Sequence, residues 1–324
     1  MKKVGIWMYE NDNGINIKRK LVHELTSRGY EVYSDFDMRD CYMRNGKVYS
    51  KDGYCISDLD ILYHMNADEQ NLYQNDILKL IELSGVHVFN DYNSFLRCKD
   101  KVVANMILRN HDIQVPPSIL INNKVEPEFL EEIIKEWKSV IIKPRTNHGG
   151  KGIIKIDNYE QFLDFYIATK SYVDNYYIEK YIDFEENDYR VEVFNNKVIG
   201  TYCRGKHGTY KTNISSGGKM LDKEVSQEFV DIALSAANAL GITTTIVDMI
   251  KSKEDNKIYV LEVNPIMGIF LEEGMRAGSK MPVQTEIPNR FKTDNKKINL
   301  IVDYIDDFLE SKEECVWWKK SFYL

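Results

Sequence analysis

The sequence lacks the long apolar runs and paired cysteines that mark membrane and secreted proteins. No apolar run approaches the ~20 residues that a membrane-spanning helix needs. The five cysteines are odd in number and scattered along 324 residues, which indicates reduced thiols rather than a disulfide framework. The first residues enter a strand-like pattern without signal-peptide architecture. We therefore expect a cytoplasmic protein that has no membrane partner.

An excess of positive charge is also missing. The formal net charge is −7, whereas a general nucleic-acid-binding protein usually carries a basic stripe. We therefore expect no nucleic-acid partner. The acidic balance does not exclude a phosphate ligand, because a few lysines and arginines can dominate the potential of one cleft.

Strand-like and helix-like segments alternate along the chain and predict an α/β protein of three modules. Residues 1–95 form the first module, where strands that alternate with helices imply a parallel sheet. Residues 96–175 form the second module, with a helix over 100–109 and a buried strand that ends at Lys143. Residues 176–324 form the third module, with a long amphipathic helix closed by Gly241 and two final strands. The aromatic segment 316–324 is too apolar for a free tail, so we expect it to dock on its own surface or on a second copy of the chain.

Three oxygen-bearing side chains stand late in the sequence. Glu262 and Asn264 lie two residues apart near the end of a predicted strand and therefore share one face. An antiparallel neighbour would bring Asp248 beside them. Two carboxylates and an amide oxygen suit Mg²⁺. The alternative interpretation is that all three are ordinary polar residues at strand ends and turns.

A lysine and a glycine-rich loop follow the apolar strand of the second module. Lys143 ends that strand, and Gly149, Gly150 and Gly152 lie within the next nine residues. Glycines let backbone N–H groups approach an anion closely. The loop is not a Walker A motif, because no G-K-S/T follows, and the chain has no G-x-G-x-x-G fingerprint after its first strand. A flexible hairpin turn is the alternative interpretation.

The order of these motifs resembles the ATP-grasp enzymes, in particular the RimK-like branch of carboxylate–amine ligases. The resemblance covers about residues 60–268. Its motifs are K-D-K at 99–101, the lysine strand with its glycine loop, I-E-K-Y-I at 178–182, D-Y-R at 188–190, K-T-N at 211–213, and finally Asp248 followed by E-V-N at 262–264. The resemblance implies an ATP-grasp fold preceded by a Rossmann-like domain over residues 1–95.

The resemblance also implies a role for each matching residue. The expected nucleotide-binding residues are Lys101 and Lys143 at the phosphates, Gly149 and Gly150 in the lid, Glu179 and Lys180 at the adenine, Asp188 at the ribose and Asn213 at the γ-phosphate. The expected catalytic residues are Arg190, Arg204 and Lys211, which would contact carboxylate or phosphate oxygens. Asp248, Glu262 and Asn264 would bind two Mg²⁺, with Mn²⁺ as a substitute.

These residues predict an enzyme that phosphorylates a carboxylate with ATP and joins the acyl phosphate to an amine. The lid would keep the acyl phosphate from water. Two other functions stay open at this stage. An ATP-grasp kinase would transfer the γ-phosphoryl group to a small molecule without ligation, and a regulator would bind nucleotide without turnover. The carboxylate and amine substrates, small molecules or peptides, are not identified by the sequence.

Overall fold

Strand and helix alternate through the first 93 residues and build a parallel sheet. The computed structural model describes residues 1–8, 12–65, 72–146, 150–185, 187–206, 210–213, 218–221, 223, 225–269, 271 and 288–311. The first elements are β1 (Lys3–Trp7), α1 (Asp12–Ser27), β2 (Glu31–Tyr33), β3 (Tyr42–Arg44), β4 (Lys47–Tyr49), β5 (Ile61–His64), α2 (Leu72–Leu83) and β6 (His87–Phe89). The sheet order is β2-β1-β5-β6, and every neighbouring pair is parallel. The predicted parallel sheet is confirmed.

A short antiparallel hairpin, β3–β4, interrupts this alternation and was not predicted. Its turn contains Asn45 and Gly46, whose φ angles are 51° and 77°. Positive φ at both central residues is the signature of the tight hairpin turn that Asn-Gly favours. The Asn-Gly pair was therefore an available signal for this hairpin.

The last described helix packs with the N-terminal residues. Residues 1–93 and 266–324 form one compact unit, and residues 94–265 form the other. This long helix begins at Pro288 and ends at Ser311. Its aromatic side chains contact β6, where the rings of His87 and Phe308 stack with centroids 3.9 Å apart. The predicted third module, 176–324, therefore differs from the observed division, because these contacts hold the final segment against the first sheet.

The second unit contains two antiparallel sheets. Its elements are α3 (Tyr92–Lys99), which begins just before the unit, α4 (Lys101–Asn110), β7 (Ser118–Asn122), α5 (Leu130–Trp137), β8 (Val140–Lys143), β9 (Ile154–Ile156), α6 (Tyr159–Thr169), β10 (Asn175–Lys180), β11 (Asn187–Phe194), β12 (Lys197–Gly205), β13 (Lys219–Leu221), α7 (Gln227–Leu240), β14 (Thr244–Lys251) and β15 (Ile258–Val263). We call the final helix of the first unit α8 (Pro288–Ser311). The sheet orders are β7-β10-β8-β9 and β13-β12-β11-β14-β15.

The five-stranded sheet has one apolar face and one polar face. Helix α7 covers the apolar face, where Phe229, Ala233 and Leu240 pack in one core with Val191 and Val247. Gly241 adopts φ +68° at the end of α7, as a left-handed helix cap requires. Because side chains alternate along a strand, the intervening residues of β11 and β14 face away from this core. The opposite face therefore carries the charged residues.

Two predicted features lie outside the described residues, namely Gly149 in the lid and the aromatic segment 316–324. None of the described helices is long and apolar enough to cross a membrane.

Candidate active site

Four adjacent strands bring several of the predicted site residues to one face. Strand pairing sets Asp188 opposite Arg204, Arg190 opposite Asp248, and Asp248 opposite Glu262. Directly paired residues project to the same side of a sheet, with Cβ atoms about 5 Å apart. The predicted antiparallel approach of Asp248 to Glu262 is therefore present.

The arginines and aspartates on this face form a buried charge network. The Nε atom of Arg204 donates to both carboxylate oxygens of Asp188 at 3.1 Å, and its Nη2 lies 3.1 Å from Asp248 Oδ2. Arg190 pairs with Asp248 and also donates from Nη1 to the Tyr202 hydroxyl at 3.1 Å. Thr212, which the sequence did not single out, donates to Asp188 Oδ2 at 2.6 Å. Asp188 is 1% exposed.

The two predicted phosphate-binding lysines face carboxylates. Lys101 begins α4, and its Nζ lies 3.0 Å from Glu262 Oε1. Lys143 ends β8, and its Nζ lies 2.5 Å from Glu179 Oε2 on β10. The Asp100 carboxylate caps α4 by accepting from Val102 N at 3.0 Å, which fixes where Lys101 begins the helix.

Gly150 contacts the segment that carries Lys211 and Asn213. Its φ is +73°, and a Cβ added there would lie 2.5 Å from Asn213 Oδ1. Lys211 Nζ donates to the Gly150 carbonyl at 3.3 Å. The glycine thus permits both the backbone conformation and the close approach of Asn213.

These groups line a cleft of residues 94–265 whose empty space, including the part open to solvent, is about 750 Å³. Ten predicted residues line it: Lys101, Lys143, Glu179, Lys180, Asp188, Arg204, Lys211, Asn213, Asp248 and Glu262. Arg190 and Asn264 connect to it through Asp248, which accepts hydrogen bonds from both. The side chain of Lys180 extends to Glu254, with 3.0 Å between Nζ and Oε2.

Apolar side chains form the other wall of the cleft and were not predicted. They include Ile141, Ile182, Phe184, Ile250 and Leu261. Alternation could have identified Ile250, which shares a face with Asp248. Leu261 could not be found this way, because it is the extra residue of a bulge in β15. Asp248 pairs with Glu262, but Met249 pairs with Val260, so Leu261 has no partner residue on β14. The bulge lets both Leu261 and its neighbour Glu262 line the cleft.

The oxygen atoms at the end of the cleft fit a divalent cation. Asp248 and Glu262 supply two carboxylates, and the amide nitrogen of Asn264 donates to Ile246 O and Asp248 Oδ1, which leaves the amide oxygen for a ligand. Such hard oxygen donors suit Mg²⁺. Among the described residues, no three His, Cys, Asp or Glu side chains form a metal site, so the third protein donor would be the amide.

Both carboxylates are suited to bind a cation at neutral pH. Burial raises the pKa of Asp248 to about 6, although Arg190 and Arg204 act to lower it. Burial alone would also raise the pKa of Glu262, but the positive charges of Lys101, Lys143 and Arg190 outweigh burial and lower it. Both groups are therefore mainly ionised at pH 7.

Comparison with known proteins identifies the family of this chain. A family model described as the RimK-like ATP-grasp domain matches residues 98–285, more than half of the chain. The alpha-aminoadipate–LysW ligase LysX of Saccharolobus solfataricus is 25% identical over 256 residues, which cover 77% of this chain and 88% of that protein. A probable alpha-L-glutamate ligase of Xylella fastidiosa is 28% identical over 277 residues, which cover 83% of this chain and 89% of that protein.

A solved structure shares the fold. The D-alanine–D-alanine ligase from Bacillus anthracis, crystallised with ATP, matches with a TM-score of 0.66 at 17% identity and covers 97% of this chain and 99% of its own. The predicted α/β ATP-grasp fold and the resemblance to RimK-like enzymes are both confirmed. The chain belongs to the RimK-like ATP-grasp family.

Proposed function

We propose that the chain is an ATP-dependent carboxylate–amine ligase that forms an amide or peptide bond and releases ADP and phosphate. The observation that carries this proposal is the cleft in which Lys101 and Lys143 lie beside Glu262 and Glu179. The relatives described above are named as ligases, which supports ligation over simple phosphoryl transfer to a small molecule.

ATP would bind in the cleft with its base against the apolar wall and its phosphates toward the lysines. Glu179 and Lys180 would contact the adenine, and Lys211 and Asn213 would lie at the γ-phosphate. Asp188 has a different role in this proposal from the predicted contact with the ribose. Because its carboxylate already accepts hydrogen bonds from Arg204 and Thr212, it would orient Arg204.

ATP-grasp enzymes bind ATP together with Mg²⁺. Asp248, Glu262 and Asn264 would hold the ions here, and we propose two, with Mn²⁺ as a functional substitute. Bound Mg²⁺ would neutralise charge on the phosphate oxygens. The lysines would contribute to the same neutralisation. Phosphate oxygens would replace Glu262 as the partner of Lys101, whereas Lys143 would add a phosphate contact and keep Glu179, because an ammonium group has three donors.

The reaction has two steps. An oxygen of the substrate carboxylate attacks the γ-phosphorus, the bond to the bridging oxygen breaks, and ADP leaves. The amine nitrogen then attacks the acyl carbon, phosphate leaves with the electron pair of the carbon–oxygen bond, and the nitrogen loses a proton. Arg190 and Arg204 would orient carboxylate or phosphate oxygens with their planar guanidinium groups. Gly150 and Asn213 would help to keep water from the acyl phosphate.

The substrates of this chain would be small molecules or peptides that carry the carboxylate and the amine. The names of the relatives include alpha-aminoadipate and alpha-L-glutamate ligases. We therefore propose that an amino acid with a second carboxylate is one substrate.

A screen of paired substrates tests the proposed function. Purified protein is incubated with ATP, Mg²⁺, one dicarboxylic amino acid and one carboxylate-bearing acceptor at a time, and ADP, AMP, phosphate and pyrophosphate are measured. We expect ADP and phosphate in equal amounts, released only when both substrates are present. Release of AMP with pyrophosphate would refute the mechanism, and full turnover without any amine would favour the kinase.

A further inference from the structure

Asn105 is a buried amide that the proposed reaction does not use directly. It lies on α4, one turn after Lys101, and is 4% exposed. Residues four apart on a helix share one face. On this face of α4, Lys101 pairs with Glu262 and Asn105 contacts β10. Asn105 is absent from the described lining of the cleft, and any effect on a ligand must pass through its neighbours.

The amide nitrogen of Asn105 contacts two groups on β10. It donates to the hydroxyl of Tyr177 and, at 3.3 Å, to Glu179 Oε1. Tyr177 and Glu179 are two residues apart on one strand and so project to the same face. Tyr177 is also the strand partner of Lys143. Asn105, Tyr177, Glu179 and Lys143 therefore form a continuous buried set, which we call the base relay.

Glu179 is held at both of its oxygens. Lys143 Nζ lies 2.5 Å from Oε2, while Asn105 contacts Oε1. Both contacts come from donors, so both carboxylate oxygens act as acceptors. Burial and the negative charge of Glu179 raise the pKa of Tyr177 well above its ordinary value, so the Tyr177 hydroxyl stays protonated. The relay thus presents Glu179 to the cleft as a fixed acceptor of hydrogen bonds.

A fixed acceptor distinguishes the two purine bases. Adenine carries an amino donor at its 6-position, whereas guanine carries a carbonyl acceptor there. A carboxylate oxygen that acts as an acceptor takes a hydrogen bond from the amino group of adenine and repels the carbonyl oxygen of guanine. Building on the ligase proposed above, we propose that Asn105, supported by Tyr177, is a positioning residue that makes this site select adenine nucleotides by fixing Glu179.

Calorimetric titration of Mg²⁺-ADP and Mg²⁺-GDP into the full chain tests this inference. Asn105→Asp keeps the side-chain shape but removes the donor and adds a second carboxylate beside Glu179. We expect the preference for ADP over GDP to fall by about tenfold, the value of one hydrogen bond to a charged group. Asn110→Asp makes the same chemical change at an exposed position near the end of α4, and its preference should equal that of the unaltered protein.

Tyr177→Phe removes only one hydroxyl and provides a second measurement if Asn105→Asp does not fold. It should lower the preference in the same direction, by about threefold. Unchanged selectivity in folded Asn105→Asp, or equal weakening of ADP and GDP, would overturn the inference while leaving the ligase intact. If Asn105→Asp does not fold, unchanged selectivity in Tyr177→Phe overturns it. If the unaltered protein binds neither nucleotide, the proposed function itself fails.

Discussion

At the scale of single residues, the cleft is organised by acid–base pairs between buried groups. Lys101 pairs with Glu262, Lys143 with Glu179, and Arg204 with Asp188. Each pair offsets the cost of removing its charges from water. Each pair also places a cation where carboxylate or phosphate oxygens could bind, and the pair of Lys101 with Glu262 places an anion where Mg²⁺ could bind. The charges that the proposed chemistry needs are therefore already in position.

Glu262→Gln should abolish most of the activity, because it removes a charge from the proposed metal site without changing side-chain volume. We expect the rate at saturating Mg²⁺ to fall by more than about tenfold, which corresponds to about 1.4 kcal/mol of transition-state stabilisation. The melting temperature should also decrease, since the ion pair between Lys101 and Glu262 is lost. Steady-state rates and thermal melts measure the two effects.

Glu254→Gln is the matched control for this substitution. Glu254 also pairs with a lysine, Lys180, at 3.0 Å, but it is 56% exposed. Loss of the ion pair between Glu254 and Lys180 should change the free energy of unfolding little, because exposed ion pairs contribute between about 0 and 1 kcal/mol. If Glu262→Gln retained more than about a tenth of the rate, the metal assignment would have to be abandoned.

Asp188→Asn should destabilise the second unit by about 2 kcal/mol, because it weakens a buried ion pair and the hydrogen bond from Thr212. Urea unfolding measures this loss. Asp183→Asn is the control, since Asp183 is 51% exposed and lies 3.6 Å from Lys253. If Asp188→Asn instead kept its stability but bound ADP and 2′-deoxy-ADP with equal affinity, the result would support a direct contact of Asp188 with the ribose.

At the scale of elements, two loops meet where a side chain would not fit. Gly150 follows the part of the lid outside the described residues. Asn213 occupies the space that a Cβ atom at position 150 would need. Lys211 adds a bond to the same glycine. Because Tyr210 also donates to Ile153 O at 3.1 Å, the segments 150–153 and 210–213 are joined at several points. We expect them to move together when nucleotide binds.

Gly150→Ala should therefore lower turnover by more than about tenfold. The added methyl group would displace Asn213, and the left-handed backbone would cost about 1–2 kcal/mol. Gly46→Ala separates the two effects, because Gly46 has a similar φ of +77° but open space around its Cβ position. It should lose similar stability and keep its rate. Equal rates in the two variants would show that the approach of Asn213 to Gly150 has no role in turnover.

At the scale of the whole molecule, one buried histidine should make folding less favourable in mild acid. His64 ends β5, its Nε2 lies 2.8 Å from Asn90 O, and burial lowers its pKa from 6.5 to about 4. The unfolded chain therefore binds a proton below pH 6.5 that the folded chain accepts only near pH 4. The contribution of His64 to the free energy of unfolding should fall across this window by roughly 3 kcal/mol.

Comparing variants isolates the histidine from other groups. Burial raises the pKa of Glu82 to about 7, so protonation of Glu82 stabilises the fold as pH falls and acts in the opposite direction. Relative to the unaltered protein, His64→Gln should gain roughly 3 kcal/mol of stability between pH 7.5 and pH 4. His111→Gln, at an exposed position, should show the same pH dependence as the unaltered protein. Chemical unfolding between pH 4 and pH 7.5 measures the difference. An identical pH dependence in His64→Gln and the unaltered protein would contradict the assignment.

The sequence by itself determined the local elements and the identity of the chemical groups. Gly241 closes the long amphipathic helix α7 as predicted, and Lys143 ends its strand as expected. Asp100, predicted to open a helix, caps α4. These features depend on periodicity, capping and residue chemistry, which act over a few neighbouring positions. The colinear order of the motifs was sufficient to predict the family and the ligase chemistry.

Only the tertiary structure decided which charged groups pair and that the final helix packs against the first sheet. Arg190 pairs with Asp248 across 58 positions of sequence, and Asn105 reaches Glu179 across 74. The bulge that exposes Leu261 to the cleft and the return of α8 to the first sheet likewise have no local signal. Partners at such separations are selected by packing and by the cost of burying an unpaired charge. These energies arise only when the whole core is assembled, so no short stretch of sequence contains them.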